Sequence, residues 1–208
     1  RMYLVEKQQK AQLLSAILRS NTSQTLVFSR TKHGANNLVK KLLKDGITAA
    51  AIHGNKSQAQ RTKALDSFKQ DSIQVLVATD IAARGIDIHQ LESVINFDLP
   101  HVPEDYVHRI GRTGRAGAEG LAISLVSSDE RKQLRDIERL IKKPIPKADM
   151  KEFDLTPVAG AEDYVEEARP PRQPRGNGAR GGRTARSAEG GSANARRSSG
   201  GAAGESRG

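Results

Sequence analysis

Gln24-Thr25-Leu26-Val27-Phe28-Ser29-Arg30-Thr31 sets a short apolar run against a polar triplet. Such an uninterrupted run makes a strand buried on both faces, the situation of a parallel sheet covered by helices. A helix is expected from about Lys32 to Asp45, closed by Gly46, a residue type that tolerates a left-handed C-cap. The unit then repeats, with a strand over Ile47 to Ile52, a helix over Ser57 to Phe68 and a strand over Gln74 to Ala78. Leu91 to Phe97 supplies another strand around Val94-Ile95, and Leu121 to Val126 a fifth. Upstream, Leu13, Leu14, Ile17 and Leu18 recur at helical spacing within Val5 to Ser20, and Asn21 is the stop. Pro103 fits the first turn of a further helix. Ser128-Asp129-Glu130 starts the last one, which ends near Lys142 because Pro144 forbids continuation. Strands separated by helices predict an α/β fold of about five parallel strands joined by right-handed crossovers.

Composition bounds the rest. The chain has 208 residues, a net charge of +10, no cysteine and no tryptophan. No apolar run approaches the ~20 residues of a membrane helix. Without cysteine there is neither a disulfide framework nor a thiolate metal site, and a cytoplasmic, non-membrane protein is expected. The five histidines, at 33, 53, 89, 101 and 108, lack ligand spacing, so no metal site is expected. A pI near 10 points to nucleic acid or another polyanion. Residues 168–208 hold nine arginines against two glutamates and no aromatic residue. That composition cannot build a core, so these residues are expected to be a disordered Arg/Gly/Ser-rich tail. A solubilising role and a nonspecific phosphate-binding role both suit it. The expected organisation is a folded domain over 1–150, a transition segment over 151–167 and the tail.

Tyr106-Val107-His108-Arg109-Ile110-Gly111-Arg112-Thr113-Gly114-Arg115 places an arginine at every third position with two glycines between. This is not a packing pattern. Guanidinium forks suit phosphate oxygens, and glycine removes side chains that would crowd them. Ligands of open parallel sheets bind beyond the carboxyl ends of the strands. There the sequence puts Ser29-Arg30-Thr31, His53-Gly54 and Thr79-Asp80, the last followed by Ala82-Ala83-Arg84-Gly85-Ile86-Asp87. Each has an ordinary explanation, with Thr31 and Asp80 as helix caps and Gly54 as a turn. Together with the arginine decapeptide they form a phosphate-binding edge.

On these motifs the chain resembles the second RecA-like domain of a DEAD-box RNA helicase, and within that family it is most similar to the bacterial RhlE-like group. Leu26-Val27-Phe28-Ser29-Arg30-Thr31 is similar to motif IV, Gln58-Ala59-Gln60-Arg61 to motif IVa, Ala78 to Asp87 to motif V, and His108 to Arg115 to motif VI. The resemblance covers roughly residues 3–150. It implies a RecA-like parallel sheet flanked by helices. It also implies that Thr31, Gly54, Arg61, Thr79 and Arg84 lie against an RNA backbone and that Asp87 accepts from the ATP ribose. Arg112 and Arg115 resemble arginine fingers reaching the γ-phosphate, and His108 and Arg109 would hold two domains together. Little sequence preference is expected, because the implied contacts are to the backbone.

No Gly-x-x-x-x-Gly-Lys-[Ser/Thr] and no Asp-Glu-Ala-Asp occurs in the chain. By the resemblance, ATP and Mg²⁺ would be held mainly by an N-terminal RecA-like domain of the same protein, and this chain alone would not hydrolyse ATP. Partners in ribosome assembly or RNA turnover are expected from the family. Two rivals stand beside this reading. One is a non-catalytic RNA-binding protein of the same fold, although binding alone does not need arginines ordered at 109, 112 and 115. The other is a dinucleotide-binding enzyme, but Gly111, Gly114 and Gly117 follow a helix instead of a strand.

Overall fold

The structure, a computed structural model, describes residues 1–86, 88, 91–114 and 120–153. Six parallel strands form one sheet: β1 (Met2–Leu4), β2 (Thr25–Phe28), β3 (Ala49–Ile52), β4 (Val75–Ala78), β5 (Ser93–Asn96) and β6 (Leu121–Val126). Their spatial order is β1-β6-β5-β2-β4-β3. The helices are α1 (Lys10–Ser20), α2 (Lys32–Lys44), α3 (Gln58–Lys69), α4 (Asp80–Arg84), α5 (Pro103–Ile110) and α6 (Arg131–Ile141). None among the described residues is long and apolar enough to cross a membrane.

Alternation along the strands explains the layers. Val27, Val75, Val77, Ile95, Ile123 and Leu125 face α1 and α2, where they meet Leu13, Leu14, Ile17, Leu38 and Leu42. Leu26, Phe28, Leu76, Ala78 and Val94, one position out of phase, face Ala64 and Phe68 of α3 and Ala82 and Ala83 of α4. Residues two apart share a face of a sheet, so continuous apolar runs serve both layers at once. A third cluster, Met2, Leu99, Tyr106, Val126 and Ile137, seats α5 and α6 beside β6.

Five strands lie where the sequence predicts them, with ends shortened by up to two residues. The sixth, β1, is too short to carry any periodicity. It exists because its register on β6, Met2 opposite Ser124, completes that edge, and because the Met2 amide donates to the Pro146 carbonyl at 2.8 Å. The first helix was expected from Val5, but Lys7–Gln9 form a 3₁₀ turn and α1 begins at Lys10. Val5 is buried and its amide donates to Val126, so it extends the sheet edge instead. Ser128–Glu130 is likewise a 3₁₀ turn ahead of α6, capped by Ser127 and Glu130 in a reciprocal box. Gly46 has the expected positive φ of 79°. The segment expected as a tail, 168–208, and all but the start of the transition segment lie outside the described residues.

Candidate functional site

Because every strand runs the same way, the loops after β2, β4, β3 and β5 emerge on one edge. Thr31, Thr79 and Gly54 follow β2, β4 and β3, which are successive neighbours in the sheet. Three strands about 4.8 Å apart spread that row over about 10 Å. The Thr31 hydroxyl caps α2, accepting from the Gly34 amide at 2.9 Å. Thr79 occupies the same position on α4, yet its side chain makes no capping bond. Gly54 is exposed, and a Cβ built on it would meet nothing within 4 Å. Internal packing therefore does not require glycine there.

The loop bearing Gly54 is held from below. His53 is 3 % exposed, and its Nε2 lies 3.0 Å from Asn36 Oδ1 while Nδ1 accepts from the Asn55 amide at 3.3 Å. Those partners fix the neutral tautomer with hydrogen on Nε2. Burial first, then Lys56, Lys32 and His33, push its pKa down from the usual value. Arg61 on α3 reaches the end of α4, where its Nη2 would touch a Cβ on Gly85 at 3.6 Å. Its Nη1 donates to Gln58 at 3.3 Å, and its buried Nε finds no partner among the described residues. Arg84, the last residue of α4, is 59 % exposed and pairs with Asp105.

The arginine motif divides its side chains between inside and outside. Arg109 is only 2 % exposed. Its Nε and Nη2 donate to Asp80 at 2.6 and 2.8 Å, and Nη1 donates to Asn96 Oδ1 at 3.0 Å and the Asp98 carbonyl at 2.6 Å. The guanidinium also stacks over Phe28, 4.8 Å from the ring centre. Expected at a contact between domains, Arg109 directs its guanidinium to groups of its own domain and so fixes α5 to the ends of β4 and β5. Asp80 is not a helix cap; its carboxylate belongs to that pair. His108, one residue earlier, is 68 % exposed, with Nδ1 3.8 Å from Asp105. Arg112 is half-buried and makes one long bond, 3.3 Å, to the Ile86 carbonyl. Arg84, Asp105, His108, Arg109 and Arg112 line a common recess of about 20 Å³ with Phe28 and Asp80. Asp87 and Arg115 lie outside the described residues.

Two supports were not singled out from sequence. Glu130 is buried and accepts from Lys10 Nζ, Arg30 Nη2 at 2.7 Å, the Leu99 amide at 2.9 Å and the Ser127 amide at 3.2 Å. It thereby joins the start of α1 to the loops after β2, β5 and β6. Gly120 is the second: a Cβ there would overlap the backbone of Gly114 and the Thr113 hydroxyl. Glu130 was not readable because Lys10 and Arg30 lie far away in sequence, and Gly120 because its close approach to Gly114 and Thr113 appears only in the fold.

The model of the helicase conserved C-terminal domain matches residues 9–117, more than half of the chain. Together with the parallel sheet and its cationic edge, this match makes the chain a member of the helicase conserved C-terminal domain family, in the DEAD-box group. The DEAD-box ATP-dependent RNA helicase CshA of Bacillus cereus is 44% identical over 151 residues, which are 72% of this chain and 29% of that protein. The DEAD-box protein SrmB of E. coli, solved bound to the regulator of ribonuclease activity RraA, superposes with a TM-score of 0.70. It is 37% identical, over 75% of this chain and 92% of that one. Dbp5 of S. cerevisiae, solved with RNA and ADP BeF3, gives a TM-score of 0.67 at 30% identity, over 73% of this chain and 42% of that one. The chain thus spans under a third of the length of the curated relatives it matches. The RecA-like architecture expected from the motifs is the one observed.

Proposed function

We propose that this chain is the C-terminal half of an ATP-dependent RNA helicase that separates short duplexes by gripping one RNA backbone along the carboxyl edge of its sheet. The observation that carries the proposal is the division of labour at the end of α5, where Arg109 is buried as an anchor while His108 is largely exposed and Arg112, just past the helix, is half-buried with one long bond to the Ile86 carbonyl. A purely structural or purely RNA-binding helix has no need to fix one guanidinium so completely in order to aim another. In this reading Arg109 is a positioning residue. Arg112, with Arg115, approaches the γ-phosphate of ATP, Asp87 approaches the ribose, and His108 meets the N-terminal RecA-like domain.

A recess of about 20 Å³ cannot enclose a nucleoside triphosphate, so these cations supply one wall of a site completed by another domain. Delivered only when the two domains close, a guanidinium stabilises charge that develops on the phosphoryl oxygens in the transition state. RNA lying across Thr31, Thr79, Gly54, Arg61 and Arg84 favours the closed arrangement, and hydrolysis reopens it. Magnesium belongs to the other domain in this proposal, since no group of three or more metal-ligating side chains occurs among the described residues. Partners from ribosome assembly or RNA turnover are proposed on family grounds. The non-catalytic alternative shares the RNA edge but assigns Arg112 no task.

Steady-state ATPase of the full natural chain separates the two. Stimulation by RNA and not DNA, reduced roughly 10³-fold or more by Arg112→Ala with RNA affinity retained, is the expected result. Equal rates for Arg112→Ala and wild type would leave the fold standing and remove the mechanism.

A further inference from the structure

Arg84 is assigned to RNA in the reading above, and the inference that follows rests on that assignment. Its guanidinium is nevertheless occupied. The partner is Asp105, in the first turn of α5, whose side chain is 14 % exposed against 59 % for Arg84. Asp105 has an ordinary reason to exist, because an acidic residue near a helix N-terminus is favoured by the macrodipole and Val102 caps α5 with no side-chain bond. That reason does not require the carboxylate to turn toward α4. It does so, and its Oδ1 faces both Arg84 and, at 3.8 Å, His108 Nδ1. Arg112 lines the same recess. The Asp105 carboxylate therefore stands between Arg84, assigned to RNA, and the recess that Arg112, assigned to nucleotide, also lines.

We propose that Asp105 occupies, on Arg84, the place of an RNA phosphate, and so sets how tightly the edge takes RNA before nucleotide closes the site. A phosphate oxygen and a carboxylate oxygen compete for the same guanidinium fork. When RNA prevails, Asp105 is left beside His108, and the change reaches α5, the helix that leads into Arg112. RNA capture is thereby felt on α5 through an exchange of partners, with no displacement of the buried Arg109 anchor. Because an ion pair whose guanidinium is mostly in solvent contributes little, the competition is weak enough for RNA to win and strong enough to register.

The test is the affinity of the full natural chain for a labelled single-stranded RNA, without nucleotide, over a range of salt. Wild type, Asp105→Asn, Arg84→Ala and the double variant form a cycle. Asp105→Asn is expected to bind roughly fivefold tighter. Its salt dependence should be steeper, by up to about 0.7 in the slope, because no liberated carboxylate recruits a cation. Arg84→Ala should bind more weakly, and Asp105→Asn should add nothing in that background. Asp105→Ser, equally neutral and tolerated in a first helical turn, repeats the measurement should the amide variant melt early. If Arg84→Ala weakens binding but neither neutral variant tightens it, the exchange is overturned while the RNA edge survives. If Arg84→Ala binds as wild type does, the assignment of Arg84 to RNA fails and the exchange falls with it.

Discussion

Replacing Arg109 by lysine tests the anchor directly. Arginine makes four hydrogen bonds, to both Asp80 oxygens, to Asn96 and to the Asp98 carbonyl, and its plane lies against Phe28. A lysine ammonium carries three donors, has no plane to stack and cannot grip a carboxylate bidentately. At least one acceptor is abandoned, and the Asp80 contact becomes single. With charge-assisted bonds near 1.5–3 kcal/mol each, the expected loss is about 3 kcal/mol. For a domain of about 150 residues that lowers the unfolding midpoint by about 6–12 °C. Circular dichroism melting of the 208-residue chain reads it, with urea unfolding as a second measure. Were Arg109 chiefly a contact between domains, the isolated chain would not notice the change. A midpoint within about 2 °C of wild type would refute the anchor.

Three further outcomes follow from the geometry. Gly54→Val should leave the melting midpoint almost unmoved, since nothing lies within 4 Å of the new Cβ, yet weaken RNA binding roughly tenfold, the scale of one lost backbone contact; unchanged affinity would place RNA elsewhere. Gly120→Ala should force Gly114 and Thr113 to shift, lowering RNA-stimulated ATPase more than RNA affinity, and equal effects on both would contradict a local action on the arginine loop. His53 has a folded pKa below its unfolded value of about 6.5, so its contribution to stability is complete above that pH and declines as the pH falls below it. Urea unfolding at pH 7.5 and 5.5 should show a smaller drop for His53→Gln than for wild type, and parallel drops would mean that His53 charges freely in the native state.

The sheet was legible because its signal is local. Leu26-Val27-Phe28 and Val75-Leu76-Val77, short apolar runs bounded by polar residues, read as buried strands from their own neighbourhood, and Gly46 marks its own turn. β1 escaped because three residues carry no period, and the range of α4, foreshadowed only by a cap at Asp80, was unreadable for the same reason. The site split in the same way. Motif spacing brought out Thr31, Gly54, Thr79 and Arg112 as candidates, since polar residues at strand ends are readable without coordinates. Which arginine faces inward was not readable: Arg109 and Arg112 look alike in sequence, and only the convergence of Asp80, Asn96 and Phe28 from three strand ends decides between them. Glu130 was equally silent, because Lys10 and Arg30 are 120 and 100 positions away.

The pairing of β1 with β6 has a temporal side. Met2 lies opposite Ser124, so the first strand cannot dock until the sixth has been made. At 5–20 residues per second on the ribosome, that wait is roughly 6–24 s. Meanwhile β2, β3 and β4, which pair within about fifty residues of one another, can already associate. The sheet therefore closes last at its β1 edge, and that strand waits unpaired while the residues up to β6 are being made.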